Sequence, residues 1–489
     1  MTQTYSQSQE DHIRKQLNAL RDELTTKTEG LLLSTYYDDL VAADAALKQT
    51  IPYFAPPHDR PVVTSDGDVE FGAIPYWAKN PSQIPYADKI PSILLEGLKL
   101  LDDAGVFPPP TITQSEYNTL LNAVQGGYAV GSDGTLWSTE PYGQLNFRWI
   151  EAVINVFFVN HIYKKSPFIT TPSTASLTGA NTDAIKIALI GDWGTGASDA
   201  QNVRDAAMAL NPDYLIHLGD VYYTGTPQWS DLRPFVGMDD EVNHLVNQWP
   251  ANMANGQSYT MNSNHEMYCG AYGLYEDALT AAPFKHQQGC TYFLLENDNY
   301  QIFGLDSAYD SPDWLFMDGA LNQSQINFVQ SKIDSSKTTV ILTHHTPFNL
   351  TGTEKISKQK GGTTVSLWNQ MIEATNKKVP DYWYFGHIHD GIAYVEPKGG
   401  NYFDGCKARC TGHASMPYGA PWGLAKPNAV APFKAGDWID TVEFAAGTPK
   451  DASKPNGQVK NGFMLITLSP NGIKESFYDE DGTETWSSS

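Results

Sequence analysis

Residues 185–225 constrain the fold of this chain more than any other stretch. They read IKIALIGDWGTGASDAQNVRDAAMALNPDYLIHLGDVYYTG, which is apolar run, Gly-Asp turn, polar helix-forming segment, second apolar run and second Gly-Asp turn. Ile185 to Ile190 predicts a strand that stops at Gly191. Ser198 and Asp199 supply N-cap chemistry for a helix, and Asn211-Pro212 closes it. Tyr214 to Leu218 predicts the next strand, ending at Gly219. A strand–helix–strand crossover makes the two strands parallel, with their carboxyl ends on one side. Asp192 and Asp220 then sit side by side where α/β sheets usually bind ligands. Two carboxylates on one rim repel each other, and a cation between them is the ordinary remedy.

Composition narrows the partners. The chain has 489 residues, 41% of them hydrophobic and 12% aromatic, enough for sizeable cores. At ~150 residues per domain, about three domains are expected, and two would also fit. With 32 Lys and Arg against 55 Asp and Glu, the net charge is 32 − 55 = −23. Such a surface repels polyanions, which argues against long nucleic acid or an anionic membrane. A small phosphorylated substrate remains compatible, because a bound cation dominates its local field. Four cysteines, Cys269, Cys290, Cys406 and Cys410, are too few for a disulfide scaffold. Cys406 and Cys410 could pair locally. A zinc site there would need two more ligands, and only His413 is near in sequence. The opening MTQTYSQSQEDHIRKQL has no apolar signal core. The longest apolar run, Ala152 to Val159, falls well short of the ~20 residues of a membrane span. The expectation is a soluble protein, cytoplasmic by default, with export by another route left open. The oligomeric state is not specified.

Residues 1–165 read as a mostly helical region without a chemical motif. Ile13, Leu17, Leu20 and Leu24 recur at helical spacing, and Leu31 to Leu47, Ile93 to Leu101, Tyr117 to Val124 and Phe147 to Tyr163 predict further helices. Residues 166–182 are dense in Ser, Thr, Pro and Gly and read as a linker. From 183 to 489, strands and helices alternate. Strands are expected at Ser258 to Met261, at a hairpin pair Tyr292 to Leu295 and Tyr300 to Leu305, at Thr338 to Thr343 and at Tyr382 to Phe385. Helices are expected at Ser324 to Ile333 and Val365 to Thr375. Residues 395–436, rich in Gly and Pro, read as long loops. The end alternates apolar and polar residues around an Asn-Gly turn, a hairpin signal. The class is an α/β sandwich with mixed sheets.

Metal-competent residues follow these strands one after another. Asp192 follows the first, and Asp220 the second, with Tyr223 three positions on. Asn264-His265-Glu266 follows the third. His344-His345 ends the strand from Thr338, and Gly386-His387-Ile388-His389 ends the strand from Tyr382. Each signal alone is weak. Together they place carboxylate, amide, phenol and imidazole on one rim.

The blocks GDWG, GDVYY, SNHE, THHTP and GHIH, in that order, resemble the calcineurin-like metallophosphoesterases. The resemblance covers about residues 183–489 and leaves the first 165 unexplained. It implies a sandwich of two mixed β-sheets flanked by helices, here preceded by the mostly helical region. It also implies hydrolysis of phosphate esters at two metal ions, by in-line attack of a metal-activated hydroxide on phosphorus. Gly194 stands where the family's first block carries a His, and Tyr223 has the GDxxY spacing. That combination looks like the purple acid phosphatase branch, in which a tyrosinate and ferric iron replace the His. Phenolate is a hard anionic donor suited to a small trivalent ion. Tyr222 beside it could equally face the site. Ser263 replaces a Gly of the family pattern.

Carried over by position, the resemblance implies Fe(III) held by Asp192, Asp220, Tyr223 and His389. A divalent Fe, Zn or Mn would be held by Asp220, Asn264, His345 and His387. Asp220 would bridge, at a metal separation of about 3.5–4 Å. His345 is preferred to His344 because Thr346-Pro347 follows it, which leaves His344 as a substrate contact. His265 is the expected donor of a proton to the leaving group, with Glu266 orienting or tuning it. His413 is a second substrate-contact candidate, and His217 reads as core-facing. The leading function is a phosphomonoesterase of acid-phosphatase type. The alternative is a phosphodiesterase or nucleotide phosphohydrolase on the same site. A β-lactamase-type HxHxDH motif fails because Gly391 follows His387-Ile388-His389-Asp390. A non-catalytic scaffold would be expected to lose more ligands than this chain has.

Overall fold

The alternation of apolar strands and helices resolves into two face-to-face sheets in a computed structural model. It describes residues 165–488 apart from 182–183, 229–238, 254–255, 314–315, 349–356, 359–363 and 396–404, together with 128–130, 136–138, 142, 152, 155–156 and 159. The chain divides into two units: residues 1–164 with 228–238, and residues 165–227 with 239–489. In the first, β1 (Tyr128–Val130) pairs antiparallel with β2 (Leu136–Ser138), within the region read as mostly helical. Ala152, Asn155, Val156 and Val159 are helical and buried, within the segment read as the most apolar helix. The helices expected before residue 125 lie outside the described residues.

The second unit carries the remaining strands. They are β3 (Ser173–Ser176), β4 (Ile185–Ile190), β5 (Tyr214–His217), β6 (Ser258–Thr260), β7 (Phe293–Glu296), β8 (Tyr300–Gly304) and β9 (Thr338–Thr343). After the two-residue ribbon β10 (Ser357–Lys358) and β11 (Thr364–Val365) come β12 (Tyr382–Phe385), β13 (Gly391–Tyr394), β14 (Lys407–Thr411) and β15 (Val442–Ala445). The chain ends in β16 (Gly462–Ser469), β17 (Gly472–Asp479) and β18 (Glu484–Ser487). One mixed sheet has the order β15-β13-β14-β12-β9-β8-β7-β3, the other β18-β17-β16-β4-β5-β6. As expected, β4 and β5 are parallel and their crossover is a helix, α1 (Ser198–Ala209). Its N-cap position is Ala197, which has no side-chain oxygen, and Thr195 Oγ1 accepts the Ala197 N–H at 3.2 Å. Ser198 and Asp199 therefore fall inside the first turn rather than capping it.

Two expectations fail locally. Residues 166–182 contain β3, which pairs parallel with β7 at the edge of the larger sheet. The Gly- and Pro-rich stretch 395–436 contains β14, inserted between β12 and β13. Its KARCT sequence has no strong strand signature. It is a strand because two neighbours supply both ladders and bury four of its five residues.

Strand parity sorts the core. Val340 and Leu342 of β9 face the smaller sheet, in a cluster with Ile187, Leu189, Ile216 and Met464. Ile341 points the other way, toward Val329 of α3 (Gln323–Lys332) and Trp368 and Met371 of α4 (Leu367–Ala374). Successive side chains on a strand alternate faces, so residues following β9 inherit the same division. Among the described residues, no helix is long and apolar enough to cross a membrane.

A buried ion pair joins the sheets. Arg409 of β14 donates from Nη2 to Glu475 of β17 at 3.0 Å, and Tyr384 of β12 donates to the other Glu475 oxygen at 3.0 Å. Their side chains are 4% and 0% exposed. Removing one partner leaves a buried charge uncompensated. Glu475→Gln should therefore lower stability by about 3–5 kcal/mol in urea unfolding. An unchanged midpoint would show that Arg409 finds water instead.

Candidate metal centre

Strand ends from both sheets deliver the donor side chains to one place. Asp192 follows β4, Asp220 follows β5, and the short helix α2 (Asn264–Met267) carries Asn264 and His265 beyond β6. His344 follows β9, and His387 and His389 follow β12. Asp192, Asp220 and His387 all have left-handed backbone, at φ 58°, 78° and 67°. Non-glycine residues pay roughly 1–2 kcal/mol each for that conformation, and such costs concentrate at functional sites.

The carboxylate of Asp220 divides the site. Its Oδ2 accepts from the Tyr222 hydroxyl at 2.7 Å. The same phenolic oxygen lies 3.3 Å from Asp192 Oδ1 and 3.0 Å from His389 Nε2. On the other side, Asp220 Oδ1 is 3.2 Å from His344 Nε2. His344 Nε2 in turn lies 2.8 Å from Asn264 Oδ1 and 3.2 Å from His387 Nδ1, which is 3.1 Å from Asn264 Oδ1.

Proton counting shows what these sets want. His344 donates its Nδ1 proton to the Leu218 carbonyl at 2.9 Å. Its Nε2 therefore presents a lone pair to Asn264 Oδ1 and Asp220 Oδ1, which are acceptors too. The amide of Asn264 is oriented by its Nδ2, which points at the Tyr268 hydroxyl 3.1 Å away. In the other set, the single Tyr222 proton faces three acceptors. Burial, and then the charges of Asp220 and Asp192, hold that phenol neutral, far above its ordinary range. Burial and Asp220 likewise push Asp192 well up. Burial opposes the charge of Asp220 too, but His265, His344, Asp192 and Ser263 outweigh it and keep the group ionised. Converging lone pairs on hard oxygen and imidazole donors fit cations on both sides of Asp220.

At two neighbour pairs the side chain that contacts the other donors is not the one expected from the sequence. The phenol that reaches Asp192, Asp220 and His389 belongs to Tyr222, not Tyr223. Gly194 explains how it gets there. A Cβ on Gly194 would lie 2.7 Å from Asp220 O and from Val221 Cα. The strand-like bridge Gly194 to Val221 occupies the space in which a His would stand. Likewise His344, not His345, faces the donors. His345 accepts at Nδ1 from Ser307 Oγ, at 3.0 Å, and donates from Nε2 to Phe316 O, at 2.7 Å, so both ring nitrogens are engaged. The nitrogens of His344, His345 and His387 still fall within 4.8 Å of one another, as do ligand atoms of Asp192, Asp220 and His344. Parity gives the signal that sequence reading missed. Position 344 shares the inter-sheet face of 340 and 342.

The flanking candidates also shift. His265 donates from Nδ1 to Tyr223 O at 2.7 Å, leaving Nε2 3.8 Å from Asp220 Oδ2. Glu266 does not orient that ring. Its Oε2 meets the Ser263 hydroxyl and accepts the Asp220 N–H at 3.3 Å. Burial, and then Asp220, push Glu266 up to about 8. Ser263, noted only as a departure from a pattern, reaches Asp220 Oδ1 at 2.5 Å and accepts the His265 N–H at 3.0 Å. His413 is 1% exposed and packs its ring on Phe477 and Tyr418, so it is a core residue rather than a substrate contact. His217 is buried as expected, with Nδ1 3.0 Å from Thr260 Oγ1. All four cysteines are buried and none forms a disulfide.

Residues 185–391 match the family model of the calcineurin-like phosphoesterases. That stretch is similar to a calcineurin-like phosphoesterase domain. The match ends at Gly391, so β14 to β18 lie beyond it. No curated protein matches the chain. Similar solved structures include GAP50, the anchor in the inner membrane complex of Plasmodium, at 13% identity and a TM-score of 0.38 over 63% of this chain and 88% of that one. Purple acid phosphatase PPD1 from yellow lupin (Lupinus luteus) seeds is similar at 13% identity and a TM-score of 0.38, over 66% and 54%. Vacuolar Protein Sorting 29 from Cryptosporidium parvum gives 13% and 0.26, over 63% and 97%.

Gly386 offers a test of how tightly the fold frames these donors. A Cβ there would lie 2.5 Å from Asp192 Oδ2, and the backbone of Gly386 is not left-handed. Gly386→Ala should fold normally yet push the Asp192 carboxylate aside. Metal retained after dialysis should fall about 10- to 100-fold in affinity. Unaltered retention would mean that Asp192 holds no ion.

Proposed function

We propose that the domain hydrolyses phosphate monoesters at a two-metal centre, one ion among Asp192, Tyr222 and His389, the other among Asn264, His344 and His387. The observation that carries this reading is Asp220, whose two carboxylate oxygens address the two donor sets separately. The first set, with its phenol and two carboxylates, suits ferric iron, and the second, with two imidazoles and an amide, suits a divalent Fe, Zn or Mn ion. Bound there, the pair would supply Lewis-acid charge to a phosphoryl group and its attacking and leaving oxygens.

The protein's own groups prepare the rest. Asp220 and Asp192 counter the cations from buried positions, where electrostatic interactions are strong. The Nδ1 proton of His265 is committed to Tyr223 O. Only its Nε2 can exchange a proton with a bound ester, which suits protonation of the leaving oxygen. Glu266 and Ser263 hold Asp220 from behind and act through it. Residues 1–165 are proposed as a separate N-terminal region, whereas 166–182, which contain β3, belong to the sandwich itself.

Three measurements decide the reading. Protein loaded with iron should be coloured by a phenolate-to-iron band that disappears in Tyr222→Phe and survives in Tyr223→Phe. A band lost only with Tyr223 would reverse the assignment. Asp220→Asn should lower turnover of p-nitrophenyl phosphate at least ~100-fold, since the pair is worth several kcal/mol. Retained turnover would exclude the shared-carboxylate scheme. A substrate panel should favour monoesters, and faster cleavage of bis(p-nitrophenyl) phosphate would move the function to diesters.

A further inference from the structure

The turn that carries the phenol is held from outside the donor sets. After β5 the chain runs through Val221, Tyr222, Tyr223 and Thr224, and two imidazoles grip its consecutive carbonyls. His265 Nδ1 donates to Tyr223 O at 2.7 Å, and His244 Nδ1 donates to Tyr222 O at 2.6 Å. His244 lies on a π-helical turn, Glu241–Leu245, which is an uncommon element often found beside functional sites. The start of that segment holds the same loop again. Asp240 Oδ2 accepts the Thr224 N–H at 3.2 Å, Thr226 Oγ1 accepts the Asp240 N–H at 3.2 Å, and Thr226 O accepts the Glu241 N–H at 3.2 Å. The imidazole of His244 also needs Gly196. A Cβ there would lie 2.8 Å from His244 Cδ2, and Gly196 has a left-handed φ of 66°. Gly196, two residues past the GDWG block, thus makes room for an imidazole that the sequence places 48 positions away, at 244 against 196.

We infer that His244 is a positioning residue that fixes the Tyr222 turn and so aims its phenol between Asp192, Asp220 and His389. This rests on the two-metal reading above. The carbonyl of Tyr222 shares its Cα with the phenol side chain, so a hydrogen bond there, together with that of the Tyr222 N–H to Gly194 O at 2.8 Å, sets the direction in which the phenol leaves the backbone. Asn264, His344 and His387 reach the site from other elements and do not depend on it. The consequence is selective: loss of the His244 donor should loosen one ion and spare the other.

The test uses full-length protein, with ferric citrate and zinc as probes and a graded chelator to rank affinities. His244→Ala should hold one ion as wild type does and the other about 10-fold more weakly or worse, as loss of a supporting hydrogen bond commonly costs. The phenolate-to-iron band should shift or fade with it. His244→Asn, whose Nδ2 can replace Nδ1 as donor, should recover most of both, and it carries the test if the Ala variant does not fold. Tyr222→Phe should reproduce the selective loss. Equal binding of both ions by His244→Ala and wild type overturns the positioning role. So does an equal weakening of both ions in the Ala and Asn variants. A wild type that binds fewer than two ions, or a Tyr222→Phe variant that loses none, overturns the two-metal reading, and the inference falls with it.

Discussion

The buried carboxylate of Asp220 is the group on which the rest of this site depends. It is 1% exposed and keeps its charge only because neighbours compensate for lost water. Ser263 and Tyr222 donate hydrogen bonds to it, and the His265 ring lies beside it. Asp192 shows the other outcome of the same burial. With a second carboxylate beside it and fewer compensating contacts, it is driven toward the protonated form. A pair split in this way is a pair waiting for positive charge.

Holding such a pair requires a rigid frame, and the sandwich supplies one. Asp192 is fixed by Gly219 O through its own N–H at 3.0 Å, and its Oδ2 accepts the His387 N–H at 2.8 Å. The first contact ties neighbouring strands of one sheet, and the second crosses to the other sheet. The left-handed backbone at Asp192, Asp220 and His387 is tolerated because the inter-sheet core on one side and the glycines on the other leave no alternative path. The Arg409–Glu475 pair locks the same two sheets further down. Precision at the donors is therefore a property of the sheets rather than of any one loop.

Much of this was legible in the amino-acid sequence because the signals are local. The strand–helix–strand unit, the terminal hairpin and the order of donors at strand ends all follow from spacing and turn chemistry. The failures have a common character. β14 is a strand only because β12 and β13 flank it, and no feature of Lys407–Thr411 announces that. Ser198 and Asp199 looked like caps, but the backbone enters the helix one residue earlier. His413 sits in a loop-like sequence, yet the terminal hairpin covers its ring.

The sequence by itself determined the inventory: two aspartates on adjacent parallel strands, an Asn-His-Glu step, paired histidines, and a His-x-His ending. It also determined that Gly194 offers no ligand. Only the tertiary structure decided which member of each adjacent pair turns inward, Tyr222 over Tyr223 and His344 over His345. Neighbouring residues point to opposite sides of the backbone, and the side that matters is defined by the facing sheet. The same holds for Glu266, which the chain places next to His265 but the fold places behind Asp220.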